Sequence, residues 1–231
     1  KNLIKIKNIN LNSKKKLKRI DQIDIDLVNN NDQISQLNIK RKKNNYSINS
    51  KIFDGTKILD RILFSKSDGN FFDVFEKLNS KITINFNTIY ITNEDYLTNF
   101  KADIIVNNNQ IKDLILSSQF STKEDLKLSI KTNSNNEKIT DLFAGNAKPL
   151  VKKYDFIKGF EGGYLKFDSI EKNKVSNSNL KIFDFKLKEV PALTKLLTLA
   201  SLQGIADLLT GEGIRFNEFE MIFKNKDGLM T

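Results

Sequence analysis

Apolar and polar residues alternate with period two along most of this chain. In "IDQIDIDLV", Ile20, Ile23, Ile25 and Leu27 fall largely on one face, and Asp24 and Asp26 take the other. "KITINFNTIYI" sets Ile82, Ile84 and Phe86 against Thr83 and Asn85, and "DLKLSIK" sets Leu126, Leu128 and Ile130 against Lys127 and Ser129. "NLKIFDFKLK" and "RFNEFEMIFK" are looser versions. The pattern predicts strands with one dry and one wet face. Turn formers separate them, as in "NNND", "RKKNN", "VNNNQ" and "TNSNN", which predicts a largely antiparallel meander.

Helical signals are few. "GNFFDVFEKLNS" (69–80) reads as a short helix with Asn70 as its N-cap. "GNAKPLVKKYDF" (145–156) reads better, with Asn146 as cap and Pro149 in the first turn, where a missing N–H costs little. In "PALTKLLTLASLQGIADLLTGEG", Pro191 suits a first turn. Leu193, Leu196, Leu197 and Ala200 then form an i, i+3, i+4, i+7 stripe. Gly204 allows a break, and Gly211 suits the left-handed residue after a helix. The expected architecture is mainly β. It is an extended, curved, mostly antiparallel sheet, a groove or half-barrel, with two or three short helices near the C-terminal end. Residues 1–138 form a β-meander and 139–231 a region with short helices. Such a sheet has an apolar face that a second layer, helices or a ligand must cover.

Composition narrows the chemistry. The 231 residues contain no Cys and no His. That removes the thiolate nucleophile, the disulfide, the commonest general base and the commonest metal ligand. A non-enzymatic role without a cofactor is expected. The chain opens on Lys and closes in a strand-like run, so it reads as a segment of a longer protein. Residues 191–209 are long enough to span a bilayer, but Lys195, Gln203 and Asp207 interrupt them. A central Lys or Asp costs about 2.5–3.5 kcal/mol on insertion, so this helix is expected to pack rather than span. The net charge of +10 has two readings. One is the codon usage of an AT-rich genome. The other is attraction to anionic lipid or nucleic acid.

Several motifs fall away. Asp21, Asp24 and Asp26 lie on a strand without a Gly-containing calcium loop. "GEG" and "EGG" lack the surroundings of a phosphate loop. Ser201 and Lys195, spaced i, i+6, occupy different helix faces. Two basic runs, "KKKLKR" (14–19) and "KRKK" (40–43), fall at alternate turns of the expected meander. They should therefore share one end of the sheet, either as headgroup or acidic-partner contacts or as protective edge charge.

The stretch from Val190 to Thr231 resembles the C-terminal signature of the AsmA-like family, in particular its YhdP-type members. Pro191 is followed by Leu199, Ser201, Leu202 and Gly204, then Gly211-Glu212-Gly213, Phe216, Phe219 and Asp227-Gly228. "FAGNAKPLVKKYDFIKGFEGGYLKFD" is similar to the family's short helix and Gly-Gly strand. Lys195, Asn217 and the general Lys/Asn richness depart from common members. The resemblance implies a relative of the bridge-like lipid-transfer proteins. Such a protein is anchored in the inner membrane by parts absent from this chain. Its β-groove in the periplasm carries phospholipid acyl chains toward the outer membrane. Groove candidates are then Ile82, Ile84, Phe86, Leu126, Leu128, Ile130, Leu165, Phe167 and Ile182. The helix residues Leu193, Leu196, Leu197, Ala200, Leu202, Leu208 and Leu209 become a cap or gate. Phospholipid is the expected partner, with envelope proteins as possible additional ones. A rival reading is a structural or assembly factor for outer-membrane proteins that acts by protein contacts. Nucleic acid is not expected, because the strands lack exposed aromatics among Arg residues.

Overall fold

The computed structural model describes residues 2–28, 34–56, 72–154, 157–188, 213–226 and 229–230. They form one open sheet of thirteen strands whose spatial order follows the chain. The strands are β1 (Leu3–Leu11), β2 (Leu17–Val28), β3 (Ile34–Lys42), β4 (Asn45–Asp54), β5 (Ser80–Tyr90), β6 (Tyr96–Asn107) and β7 (Gln110–Phe120). They continue as β8 (Asp125–Thr132), β9 (Lys138–Ala144), β10 (Phe160–Lys172), β11 (Val175–Leu187), β12 (Ile214–Lys226) and the two-residue β13 (Leu229–Met230). The sheet passes residue 138 without interruption, since β8 and β9 are paired along their length.

Asparagine is what allows many of the tight connections. Asn108-Asn109 joins β6 to β7 and Asn173-Lys174 joins β10 to β11, with both residues of each pair at positive φ. That is the two-residue hairpin geometry whose twist matches the strands, and Asn enters it at low cost. The Lys/Asn richness of the composition therefore has a structural use at these turns.

The meander has one exception. β4 and β5 run parallel, because the connection through 55–79 returns the chain to the end at which β4 began. In that connection, the helix expected over 69–80 is not formed across 72–79. Its backbone groups are engaged elsewhere. Leu17 N–H donates to the Val74 carbonyl at 2.9 Å, and Glu76 N–H donates to the Leu17 carbonyl at 2.8 Å. Phe75 thus bridges the start of β2 in parallel fashion instead of closing i→i−4 turns. Residues 69–71 of that expectation lie outside the described residues.

Among the described residues there is one helix, α1 (Lys148–Tyr154). The expectation of two or three short helices near the C-terminal end is corrected to this one. Asn146 Oδ1 accepts from Lys148 N–H at 3.2 Å, which is the expected N-cap bond. Lys152 and Lys153 lie in the last turn, where positive charge suits the helix dipole. The leucine segment lies outside the described residues.

The helix also reports curvature. It packs on β10, yet Lys152 Nζ is 2.6 Å from Glu94 Oε2 and Lys153 Nζ donates to the carbonyls of Thr56 and Ile91. These last groups follow β4 and β5. Five strand spacings on a flat sheet would cover about 24 Å, whereas a seven-residue helix is about 10 Å long. The sheet is therefore concave on the face that carries α1.

Two apolar clusters occupy this concave face. One gathers Phe86, Ile91, Leu97, Phe120, Leu126, Leu165 and Ile182 with Ala147 and Val151 at the α1 end of the strands. The other gathers Tyr46, Phe72, Leu78, Ile82, Ile104, Val106 and Leu114 at the opposite end, under 72–79. Asn109 holds that cover. Its Oδ1 accepts from Leu78 N–H at 2.6 Å, and its Nδ2 donates to the Phe75 carbonyl at 3.0 Å.

Ile182 is 0 % exposed and Ile222 is 76 % exposed. Ile182→Ala should cost about 2–5 kcal/mol, and Ile222→Ser should stay within about 0.5 kcal/mol. Urea unfolding of both variants checks this. Gly163 sits at φ +73, and a Cβ there would meet the Phe183 carbonyl oxygen at 2.7 Å. Gly163→Ala should therefore also lower the urea midpoint, while Gly162→Ala, with its nearest neighbour at 3.8 Å, should lower it less.

Candidate functional site

Residues that face one another in paired strands share a face, so the registers can be followed across the sheet. One line runs Ile6, Ile23, Ile39, Ile48, Ile84, Ala102 and continues Leu116, Leu128, Leu142, Phe167, Leu180, Met221. It takes one residue from each of β1 to β12 and is apolar throughout. The lines on either side in sequence, which face the other way, are mostly polar. One runs Lys5, Asp24, Asn38, Asn49, Asn85, Lys101 and on to Glu220, and Phe143 is its one apolar member.

Among the described residues, the central apolar row is sealed only at Ala102 and Leu180, which are buried. Ile23, Ile39, Ile48, Ile84, Leu116, Leu128, Leu142, Phe167 and Met221 are all half-buried, and Ile6 is exposed. The flanking positions on the same face are better covered. Ile82, Ile104 and Leu114 are buried on one side, and Phe86, Phe100, Leu126, Leu165 and Ile182 on the other. The result is an apolar strip that crosses the strands between two packed shoulders. Eleven strand spacings give it a contour of about 50 Å.

All nine residues expected to line a groove fall on this face. Ile84, Leu128 and Phe167 belong to the central row. Ile82 and Ile130 sit in the row under 72–79, and Phe86, Leu126, Leu165 and Ile182 in the row toward α1. Ile82, Phe86, Leu126, Leu165 and Ile182 are buried in the shoulders. The central-row members Ile6, Ile23, Ile39, Ile48, Ala102, Leu116, Leu142, Leu180 and Met221 are not among the candidates. Each sits in an alternating stretch, but only the strand-to-strand register joins them into a row. The proposed cap or gate residues Leu193, Leu196, Leu197, Ala200, Leu202, Leu208 and Leu209 lie outside the described residues.

Beyond Ile130 its own row becomes polar, while the central row on the same face stays apolar. Thr140, Ser169 and Ser178 continue the Ile130 row through β9, β10 and β11, and Ser178 Oγ donates to Ser169 Oγ at 2.9 Å. At the β1 side, the turn after β1 and the turn after β3 share one end of the sheet. There a depression of about 520 Å³ is lined by Lys7, Arg19, Asp21, Lys40, Arg41 and Lys43, among others. Arg19 forks onto Asp21 at 2.6 and 2.7 Å, and Arg41 Nη1 lies 3.6 Å from the same carboxylate. The hydrogen bond from Arg19 holds the Asp21 carboxyl down at about 2, with help from Asn8 and the charge of Arg41 and against partial burial. Asp24 faces away from Asp21, bonded to Gln22 and Asn38.

No family model, no curated protein and no solved structure matches this chain.

Asp21 has a folded-state value below its ordinary one near 3.8. Its contribution to stability is therefore present above that ordinary value and is lost as pH falls toward 2. A carboxyl ¹³C titration should find Asp21 still ionised at about pH 3, and Arg19→Gln should move its midpoint upward. An ordinary midpoint in the unaltered protein would contradict the arrangement.

Proposed function

We propose that this chain binds the acyl chains of phospholipids on its concave face and forms part of a conduit that carries lipid between membranes. The observation that supports this reading is the half-exposed apolar row crossing β1 to β12. A contiguous, mostly half-exposed apolar strip of this length, on a sheet whose opposite face is mostly polar, supports a binding surface. Its contour of about 50 Å exceeds the ~30 Å that two opposed acyl chains occupy in a bilayer core. The row runs across the strands, so a chain could slide from one strand to the next without crossing a polar step. The process is passive and non-covalent. Its setting, the periplasm of a Gram-negative envelope with an inner-membrane anchor, rests on the AsmA-like resemblance of the C-terminal stretch.

A second reading, a partner in outer-membrane protein assembly, is favoured by one feature. Among the described residues β1 is an open edge, and its Leu3, Ile4, Ile6, Ile9 and Leu11 are all exposed. Such an edge can accept a strand from another protein.

Expression in a Gram-negative host, detergent-free purification and lipid mass spectrometry separate the two. Co-purifying phospholipid near stoichiometry is expected, with at least about a tenfold loss in Ile84→Asp and Leu128→Asp, since a charge on an apolar floor is strongly disfavoured. The exposed Ile115→Asp on the other face should leave the lipid in place. A lipid-free, monodisperse protein would overturn the conduit.

A further inference from the structure

We infer that the depression at the shared end of β1 to β4 binds a phosphate group and that the apolar row beside it takes the tail of the same molecule, an anionic phosphate amphiphile. This rests on the acyl-chain reading and adds a headgroup position to it. The depression brings together Lys7, Arg19, Lys40, Arg41 and Lys43 around one carboxylate, Asp21. That carboxylate offsets one of five positive charges. It also orders the site. Arg19 is fixed by its fork onto Asp21, and Arg41 is held between Asp21 and Asn44, whose Oδ1 accepts from Nη2 at 2.9 Å. Ordered guanidinium groups with lysines close by suit phosphate oxygens, which accept several charge-assisted bonds at once.

Position ties this site to the row. Asp21 lies two residues from Ile23 and Arg41 two from Ile39, on adjacent strands. Residues two apart share a face and are separated by about 7 Å. Arg41 is moreover paired with Tyr46, which is itself paired with Ile82 and belongs to the same concave-face cluster. A phosphate held at Arg19 and Arg41 therefore leaves an attached chain at the start of Ile23, Ile39 and Ile48. Lys7 and Lys40 line the depression from the alternate positions and raise its potential. The neighbouring turn adds Lys14, Lys15 and Lys16.

Four probes are used below their micelle concentrations at low salt: dodecyl phosphate, dodecyl maltoside, glycerol phosphate and a single-stranded oligonucleotide. Calorimetry should give dodecyl phosphate about a tenfold or greater advantage over the maltoside, the order expected when a few cations meet one headgroup. The Arg41→Gln/Lys43→Gln variant, which removes one of the two holding guanidinium groups and its neighbouring lysine but keeps the Arg19–Asp21 fork, should lose most of that advantage and keep its maltoside affinity. Equal affinity for the two detergents overturns the phosphate site while leaving the acyl-chain reading standing. Glycerol phosphate bound by the protein and lost in the variant, with neither detergent bound, supports a phosphate site for a free ligand and overturns the tail assignment together with the acyl-chain reading. Oligonucleotide bound more tightly than dodecyl phosphate, and lost in the variant, overturns the amphiphile assignment in favour of nucleic acid. No binding of either phosphate compound overturns the site.

Discussion

Register is the constraint on which this structure depends. The apolar row exists because twelve strands are each set so that one Ile, Leu, Phe, Met or Ala meets the next. A one-residue slip would turn a strand's apolar set outward and, in most strands, place a polar or charged residue in the row. The turns carry that burden. The positive-φ residues Asn108, Asn109, Asn173 and Lys174 fix two-residue hairpins, which define the pairing on both sides. The irregularity at Asn8 and the bulge at Asn10/Leu11 are confined to the open edge of β1. There the row is already exposed, and errors in pairing disturb fewer neighbours.

The same constraint explains why the face is divided. The concave sheet crowds side chains toward both strand ends, where α1 on one side and 72–79 on the other supply cover. Ala147 and Val151 close the first shoulder at 0 % exposure, while Phe72, Phe75 and Leu78 cover the second. Among the described residues, most mid-strand positions of the row lie beyond both covers, with Ala102 and Leu180 the buried exceptions. An apolar row left half-exposed forfeits part of the roughly 25 cal/mol per Å² that full burial would contribute. The sheet carries this cost along much of its width, and the proposed acyl-chain ligand would offset it.

Much of this was legible in the sequence. Alternation alone selected Ile82, Ile84, Phe86, Leu126, Leu128 and Ile130 as one-faced sets. The spacing of the basic runs predicted that Arg19 and the 40–43 run would share an end of the sheet. The continuity of the row was hidden, because register between strands is a property of turns and long-range pairing, not of any single segment. Ile20 illustrates the limit. It stands at odd spacing from Ile23 and so belongs to the other parity of β2. The helix expected over 69–80 failed for a related reason. Its local propensity was sound, but Leu17 on β2 recruited the backbone of Val74 and Glu76. The aromatic residues there serve as a cover for Tyr46 and Ile82 instead of as a helical stripe.

The most direct test of the central claim is photocrosslinking in cells, with a diazirine amino acid placed at Leu116 or Leu142 in the row and at Ile115 or Ile222 on the opposite face. Phospholipid adducts at the two row positions and none at the other two are the predicted result. Adducts of equal yield on both faces, or none at the row positions, would contradict an acyl-chain floor.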